Sequence, residues 1–333
     1  MYMYEVEVRL PSKMAKTLPI FMVLAVATAV FPVETFGQND VLDVAEVNGA
    51  KQFSALARKS PWLKNLLESS TQPNGLTVFA FTDHAYATSP AAFKAFINST
   101  DGLRWALEYH VSLGLTASKD LRDNLLLTSV YPSPLGGASL PPQFIRINIY
   151  TFPTAKEELN SDKMVTATGA PIVHPDIQAG NGIVHIINKV MFPIPMGNNM
   201  PDFLKKDPRF STLVMFLAKA NLTGALVTDP SLPLTIFAPN NAAFKKLPKA
   251  VVDKLANVTF LQKVLEYHVV NAAFYAAGLY DNQRLVPLAG GTILVLRGPG
   301  GVYVANQQVI QADNTCINGV VHEVSGVLIP PSK

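Results

Sequence analysis

Tyr109-His110 and Tyr267-His268 each set a phenol beside an imidazole near the end of an apolar, helix-like pattern. Such pairs have apolar bodies and polar tips, so inside a fold they hydrogen-bond to neighbours and fix a helix end. His185 and His322 each follow an Asn-Gly dipeptide on an apolar run and admit the same use. Catalysis finds little support. The six histidines include no His-Glu-x-x-His pair, and the single cysteine, Cys316, excludes a multi-thiolate zinc site and reads as a small buried hydrophobe. No Gly-x-Ser-x-Gly elbow is present. Gly290-Gly291 and Gly298-Pro-Gly-Gly301 lack the Lys-Ser or Lys-Thr of a phosphate loop and bracket the β-prone run Thr292 to Leu296, so they read as hairpin turns. Glu157-Glu158 sits in the polar stretch Lys156 to Lys163 and reads as a solvated loop. The expectation is a non-enzyme with no catalytic residue, no metal site and no cofactor.

The elements that position these residues occur twice. Thr77-Val-Phe-Ala-Phe-Thr-Asp-His-Ala-Tyr86 returns as Thr235-Ile-Phe-Ala-Pro-Asn-Asn-Ala-Ala-Phe244, and Leu107-Glu-Tyr-His-Val111 as Leu265-Glu-Tyr-His-Val269, both 158 positions later. Asn181-Gly-Ile-Val-His185 returns as Asn318-Gly-Val-Val-His322 after only 137, so the first copy carries 21 more residues between its second and third motifs. Thr77 to Phe81 and Leu234 to Ala238 predict strands, with Asp83 and Asn241 as caps of the helices that follow. Leu103 to Leu113 and Val251 to Val270 have the spacing of amphipathic helices. Asn181-Gly182 and Asn318-Gly319 predict tight turns into closing strands over Ile183 to Phe192 and Val320 to Ile329. Pro193, Pro195, Gly197 and Pro201 mark the boundary near Ile194 to Met200.

The three motifs, in this order in both copies, resemble the fasciclin domain: an opening Thr-hydrophobic-Phe-Ala-Pro-Thr-Asp box, a central Tyr-His and a closing Asn-Gly-hydrophobic-hydrophobic-His box. The resemblance implies an α+β fold of two tandem domains, each a compact β-wedge flanked by helices. It covers a first domain at 38–195, in which the repeat spacing puts an insertion near 131–163, and a second at 196–331, after a leader and signal peptide at 1–37 read from the residues there. It implies extracellular adhesion, with Tyr109, His110, Tyr267 and His268 as cell-surface contacts. Pro175-Asp176-Ile177 resembles the Asp-Ile element implicated in integrin binding, while the second copy has Asp313-Asn314. Phe81 stands where the family usually has proline, and Asn240-Asn241 replaces Thr-Asp. A buried structural role for the Tyr-His pairs, and a plain turn entrance for Asp176-Ile177, remain the alternatives.

With 333 residues the chain has length for two ordinary domains, and 49% hydrophobic residues are enough for a core in each. A net charge of +3 with interspersed signs offers no field for nucleic acid. Lys13 and Lys16 ahead of the apolar run Leu18 to Val33 have the layout of a secretory signal, starting from Met1 or Met14, and the run is too short for a lasting membrane span. The ending Ile329-Pro-Pro-Ser-Lys333 has no apolar tail for a lipid anchor. Asn98, Asn221 and Asn257 head three glycosylation sequons. The expected setting is secreted or extracellular, with the cell wall or a vacuole as alternative ends. Expected partners are cell-surface or wall and matrix components, protein or polysaccharide, held by two linked weak sites. The alternative function is a soluble carrier of small apolar ligands. The Pro-rich stretch Tyr131 to Pro142, ahead of a strand candidate Phe144 to Tyr150, is the expected seat of individual specificity.

Overall fold

The computed structural model describes residues 39–69, 74–131, 143–153, 162–193 and 198–331. The expected signal at 1–37, Pro-rich residues 132–142 and Glu157-Glu158 lie outside the described residues. The first domain opens with helices α1 (Val41–Val47), α2 (Lys51–Arg58) and α3 (Pro61–Glu68), then strand β1 (Leu76–Phe81). Helices α4 (Asp83–Ala87), α5 (Ala91–Ile97) and α6 (Thr100–Glu108) follow. Strands β2 (Val111–Leu113), β3 (Leu126–Thr128), β4 (Phe144–Phe152), β5 (Asp162–Ala167), β6 (Ala170–Ala179) and β7 (Gly182–Ile187) complete it. The second domain repeats the plan with α7 (Met200–Lys206), α8 (Ser211–Lys219), β8 (Leu234–Pro239), α9 (Asn241–Lys245), α10 (Lys249–Lys254), α11 (Val258–Glu266) and β9 (Val269–Val270). It ends with β10 (Arg284–Leu285), β11 (Ile293–Gly298), β12 (Gly301–Val304), β13 (Gln307–Cys316) and β14 (Gly319–Val324).

Among the described residues each domain has one seven-stranded sheet, and the two sheets share one order, β2-β1-β7-β6-β5-β4-β3 and β9-β8-β14-β13-β12-β11-β10. Bridges between Ser112 and Ser129, and between Val270 and Pro287, bring the two edges of each sheet together in a barrel-like wedge. The central pair, β1 with β7 and β8 with β14, is parallel, so the opening and closing boxes of each repeat lie side by side.

Each box is a hydrogen-bonding device. The hydroxyl of Thr77 donates to Gly114 O at 2.6 Å and accepts from Thr116 N at 2.9 Å, and Thr235 does the same with Ala272 and Phe274, so both tie down the loop after the helix. The closing-box asparagines do more than turn the chain. Asn181 accepts from Val41 N at the start of α1 and donates to Leu67 O at the end of α3, and Asn318 joins Met200 N to Leu226 O. One carboxamide thus fastens the helical layer to the sheet in each domain.

Four expectations need correction. The caps are Thr82 and Asn240, one residue earlier than predicted, and they accept from Ala85 N and Ala243 N. Asp83 and Asn241 instead accept from Gln52 N and Thr212 N, which anchors the preceding helices. Val251 to Val270 is not one helix: Asn257 accepts from Phe260 N at 3.1 Å and starts α11 afresh after α10, because an N-cap side chain favours a new helix over continuation of the old one. Likewise α6 stops at Glu108, and Val111 to Leu113 is strand β2. The extra residues of the first copy do not form a single block either. They lengthen the β3–β4 and β4–β5 connections, while β4 itself is the counterpart of β11.

Gly319, at φ +147°, would place a Cβ 1.9 Å from Leu234 O, so no side chain fits where β14 meets β8. Gly319→Ala should cost the second domain about 2–4 kcal/mol, the usual range for overpacking with backbone strain. Urea denaturation followed by circular dichroism checks this, and an unchanged midpoint would refute the close approach.

Candidate functional site

The two Tyr-His pairs are built identically. Tyr109 and His110 follow α6 and are fully buried, and Tyr267 and His268 follow α11 with 3% and 1% exposure. His110 meets Ala106 O through Nδ1 at 2.7 Å, and Met191 N–H donates to its Nε2 at 3.0 Å. His268 repeats this with Val264 O and Leu328 N. Because a backbone N–H points at Nε2, the proton sits on Nδ1 and the ring is neutral. Tyr109 donates to Phe144 O at 2.9 Å and Tyr267 to Thr292 O at 2.6 Å, which joins the helix end to the start of β4 and of β11. The structure therefore places these four side chains inside the fold, where they knot together the helix, the meander and the tail after the closing strand. It does not present them as surface contacts.

Asp176 sits at φ 62° in an irregularity of β6. Its N–H donates to His185 Nδ1 at 3.2 Å, and its carboxylate accepts from Ser118 N at 2.7 Å and from the Ser118 hydroxyl. His185 Nε2 meets Thr116 O at 2.9 Å, which explains the histidine of the closing box. Asp313 mirrors this at φ 63°, with His322 behind it and Ala276 N donating to its carboxylate at 2.7 Å. Burial acts to raise the Asp313 pKa, but Lys189, His322 and the Ala276 N–H outweigh it and hold the carboxyl below its ordinary range. Lys189 reaches Asp313 at 2.5 Å from the other domain. Asp176 and Ile177 are half-buried, with Ile177 packed on the first core. Asn98, Asn221 and Asn257 are exposed, whereas Cys316 is buried and its thiol is pushed up to about 12 by burial.

The junction between the domains rests on residues that no motif signalled. Side chains alternate across a strand, so Arg146, Asn148, Tyr150 and Phe152 share one face of β4. That face meets the second domain. Arg146 Nη2 donates to Pro230 O at 2.6 Å and Ile317 O at 3.2 Å. Tyr150 OH donates to Ala273 O at 3.2 Å and accepts from Tyr275 N at 3.0 Å, and Phe152 packs edge-on against Tyr280 at 5.7 Å. A Cβ on Gly278 would lie 2.3 Å from the Tyr150 ring, and one on Gly169 would lie 2.3 Å from the Tyr275 ring, so each domain has a glycine that admits the other's tyrosine. The signal available in the sequence was the alternation over Phe144 to Tyr150, but by itself it suggests a solvated polar face. Arg146 and Asn148 are instead 3% and 1% exposed. Beside this seam, on the flank where Lys189 meets Asp313, lies a mainly apolar groove of about 540 Å³, walled by Pro90, Val190, Phe192, Pro193 and Phe203. Phe192 is 41% exposed and bridges Phe93 and Phe96, with ring centroids 5.7 and 5.3 Å away.

Two domains of this order, tied by the same threonine, Tyr-His and Asn-Gly-His devices, define a duplicated α+β module. The fasciclin domain model matches residues 48–193 and 208–330, and the chain belongs to the fasciclin domain family. It is 27% identical over 264 residues to transforming growth factor-beta-induced protein ig-h3 of Sus scrofa, covering 78% of this chain and 35% of that protein. It is 27% identical over 271 residues to human periostin, covering 80% of this chain and 30% of periostin. The chain thus spans about a third of the length of these relatives. A solved fasciclin domain pair from the insect cell adhesion molecule Fasciclin I aligns with 85% of this chain and 98% of its own, at 18% identity and a TM-score of 0.38.

Burial lowers the pKa of His110 and of His268 from 6.5 to about 4, against the opposing pull of their backbone hydrogen bonds. His185 and His322 are also lowered, with burial as the main cause. Between the unfolded and folded values the unfolded chain binds more protons, so stability is full above about pH 6.5 and falls with pH by about 1.4 kcal/mol per pH unit for each such histidine. Urea midpoints measured from pH 7 to pH 4 should drop steadily, with a shallower slope in His268→Gln; a flat profile would contradict the neutral, buried rings.

Proposed function

We propose that this protein is a non-catalytic adhesion or matrix-binding module working outside the cytosol, and that its two domains meet cell-surface or wall components as one body. The observation that carries this reading is the desolvated seam on β4, where Arg146 and Tyr150 make hydrogen bonds to backbone groups of the second domain. Domains hinged freely would gain by effective concentration alone. A pair joined through buried polar groups presents a single fixed surface, and the groove beside the seam, with Phe192 exposed, is a mainly apolar concavity on it. Membership of the fasciclin family supports an extracellular setting, and three exposed sequon asparagines suit passage through a secretory route. Tyr109, His110, Tyr267 and His268 serve in this reading by holding the surface in shape. Asp176 and Ile177, half-buried at a bulge, contribute at most an edge of it.

The groove's volume and apolar walls also suit the second reading, a carrier of small apolar ligands. Surfaces coated with the whole chain should hold cells of the source organism, and Phe192→Arg should reduce adhesion at least fivefold while leaving the melting temperature unchanged. Undiminished adhesion in the variant would remove the groove from the mechanism. No adhesion by either protein, with an apolar dye bound by the parent and lost in the variant, would favour the carrier.

A further inference from the structure

A second concavity lies on the seam, a cleft of about 250 Å³ lined by Asp123, Asn124 and Asn148 of the first domain and Phe274, Tyr280 and Gln283 of the second. Asn148 is 1% exposed, and its Nδ2 donates to Asp123 Oδ1 at 3.4 Å and Asn124 Oδ1 at 3.3 Å. Its Oδ1 is buried with no protein partner. A flipped amide would turn that oxygen toward the Asp123 carboxylate, so the free atom is an acceptor. A buried acceptor left unmade costs about 1–3 kcal/mol, and its presence calls for a donor from outside the protein, a water or a ligand hydroxyl.

The internal repeat provides a control. Asp123-Asn124 and Asp281-Asn282 form the same turn, with Ile149 N and Arg297 N donating to the two aspartates. Ile147 N donates to Leu125 O at 2.8 Å as Val295 N donates to Gln283 O at 2.8 Å. This register pairs Asn148 with Leu296 and Gln283 with Leu125. Each domain therefore places an amide in the shared cleft where its sister has leucine, so the same turn also forms with leucine at either position, although Gln283 Oε1 here accepts from Tyr280 N at 3.1 Å.

We propose that this cleft binds one ring of a neutral saccharide. Hydroxyl groups supply the donors that Asn148 Oδ1 and the Asp123 carboxylate accept, and the half-buried Phe274 and Tyr280 offer ring surface to the C–H face of a pyranose. The lining has no cationic residue to attract an anion, and among the described residues no cluster of three or more His, Cys, Asp or Glu side chains could hold a metal. Its volume is below the roughly 300–1,000 Å³ of drug-sized sites, which suits a single sugar ring. The inference does not depend on the adhesion reading, which uses the groove on the other flank.

Saturation-transfer NMR titrations of the whole chain with methyl glycosides of glucose, galactose, mannose and N-acetylglucosamine test it. At least one should bind saturably, and Asn148→Leu and Gln283→Leu, each the sister domain's own residue, should weaken it at least tenfold with melting unchanged. Phe192→Arg should leave sugar binding intact. Binding by none of the four, or equal binding by both leucine variants, overturns the proposal.

Discussion

The parallel pairing of the opening and closing strands is the contact on which each domain depends. Leu76 to Phe81 lie beside Gly182 to Ile187, and Leu234 to Pro239 beside Gly319 to Val324, residue for residue. Parallel neighbours cannot be joined by a tight hairpin, so everything between them must be folded out and returned. The helices go to one side and the antiparallel meander closes the wedge. Threonine, Tyr-His and Asn-Gly-His are the fastenings of that return path. Each supplies partners to backbone groups that regular structure leaves unpaired, a strong constraint in a core where an unmade hydrogen bond is costly.

The seam between the domains follows different chemistry. Arg146 is almost wholly buried, and burial lowers its pKa. Two backbone carbonyls of the second domain accept hydrogen bonds from its Nη2, and the hydroxyl of Tyr150 is both donor and acceptor across the same face. Buried polar groups tolerate few arrangements, because a small slip leaves several unpaired at once. That sensitivity defines how the domains sit and leaves two unlike concavities beside them, an apolar groove and a polar cleft.

Much of the fold was legible from the chain. Opening strands, Asn-Gly turns and the glycine hairpins follow from local propensity, and the duplication follows from two motifs recurring at one spacing. The misreadings share a cause. Cap preference alone does not distinguish Thr82 from Asp83 or Asn240 from Asn241, and only the backbone path makes the earlier residue of each pair the cap. Apolar spacing continues across Asn257 and hides the new helix that it caps. The Tyr-His pairs raised both a contact and a buried reading, and only burial separates them. The polar cleft could not be foreseen, since Asn148 and Gln283 come from different domains and carry no motif.

By itself the sequence determined the duplicated α+β plan, the order of its three boxes and the residue types that fasten them, because those depend on local backbone preference and short-range hydrogen bonds. The tertiary structure alone decided which polar residues face inward. Alternation along Phe144 to Phe152 sorts side chains onto two faces, but whether Arg146 and Asn148 meet water or another domain depends on what is packed across from them, and that partner surface lies more than eighty residues away in the chain.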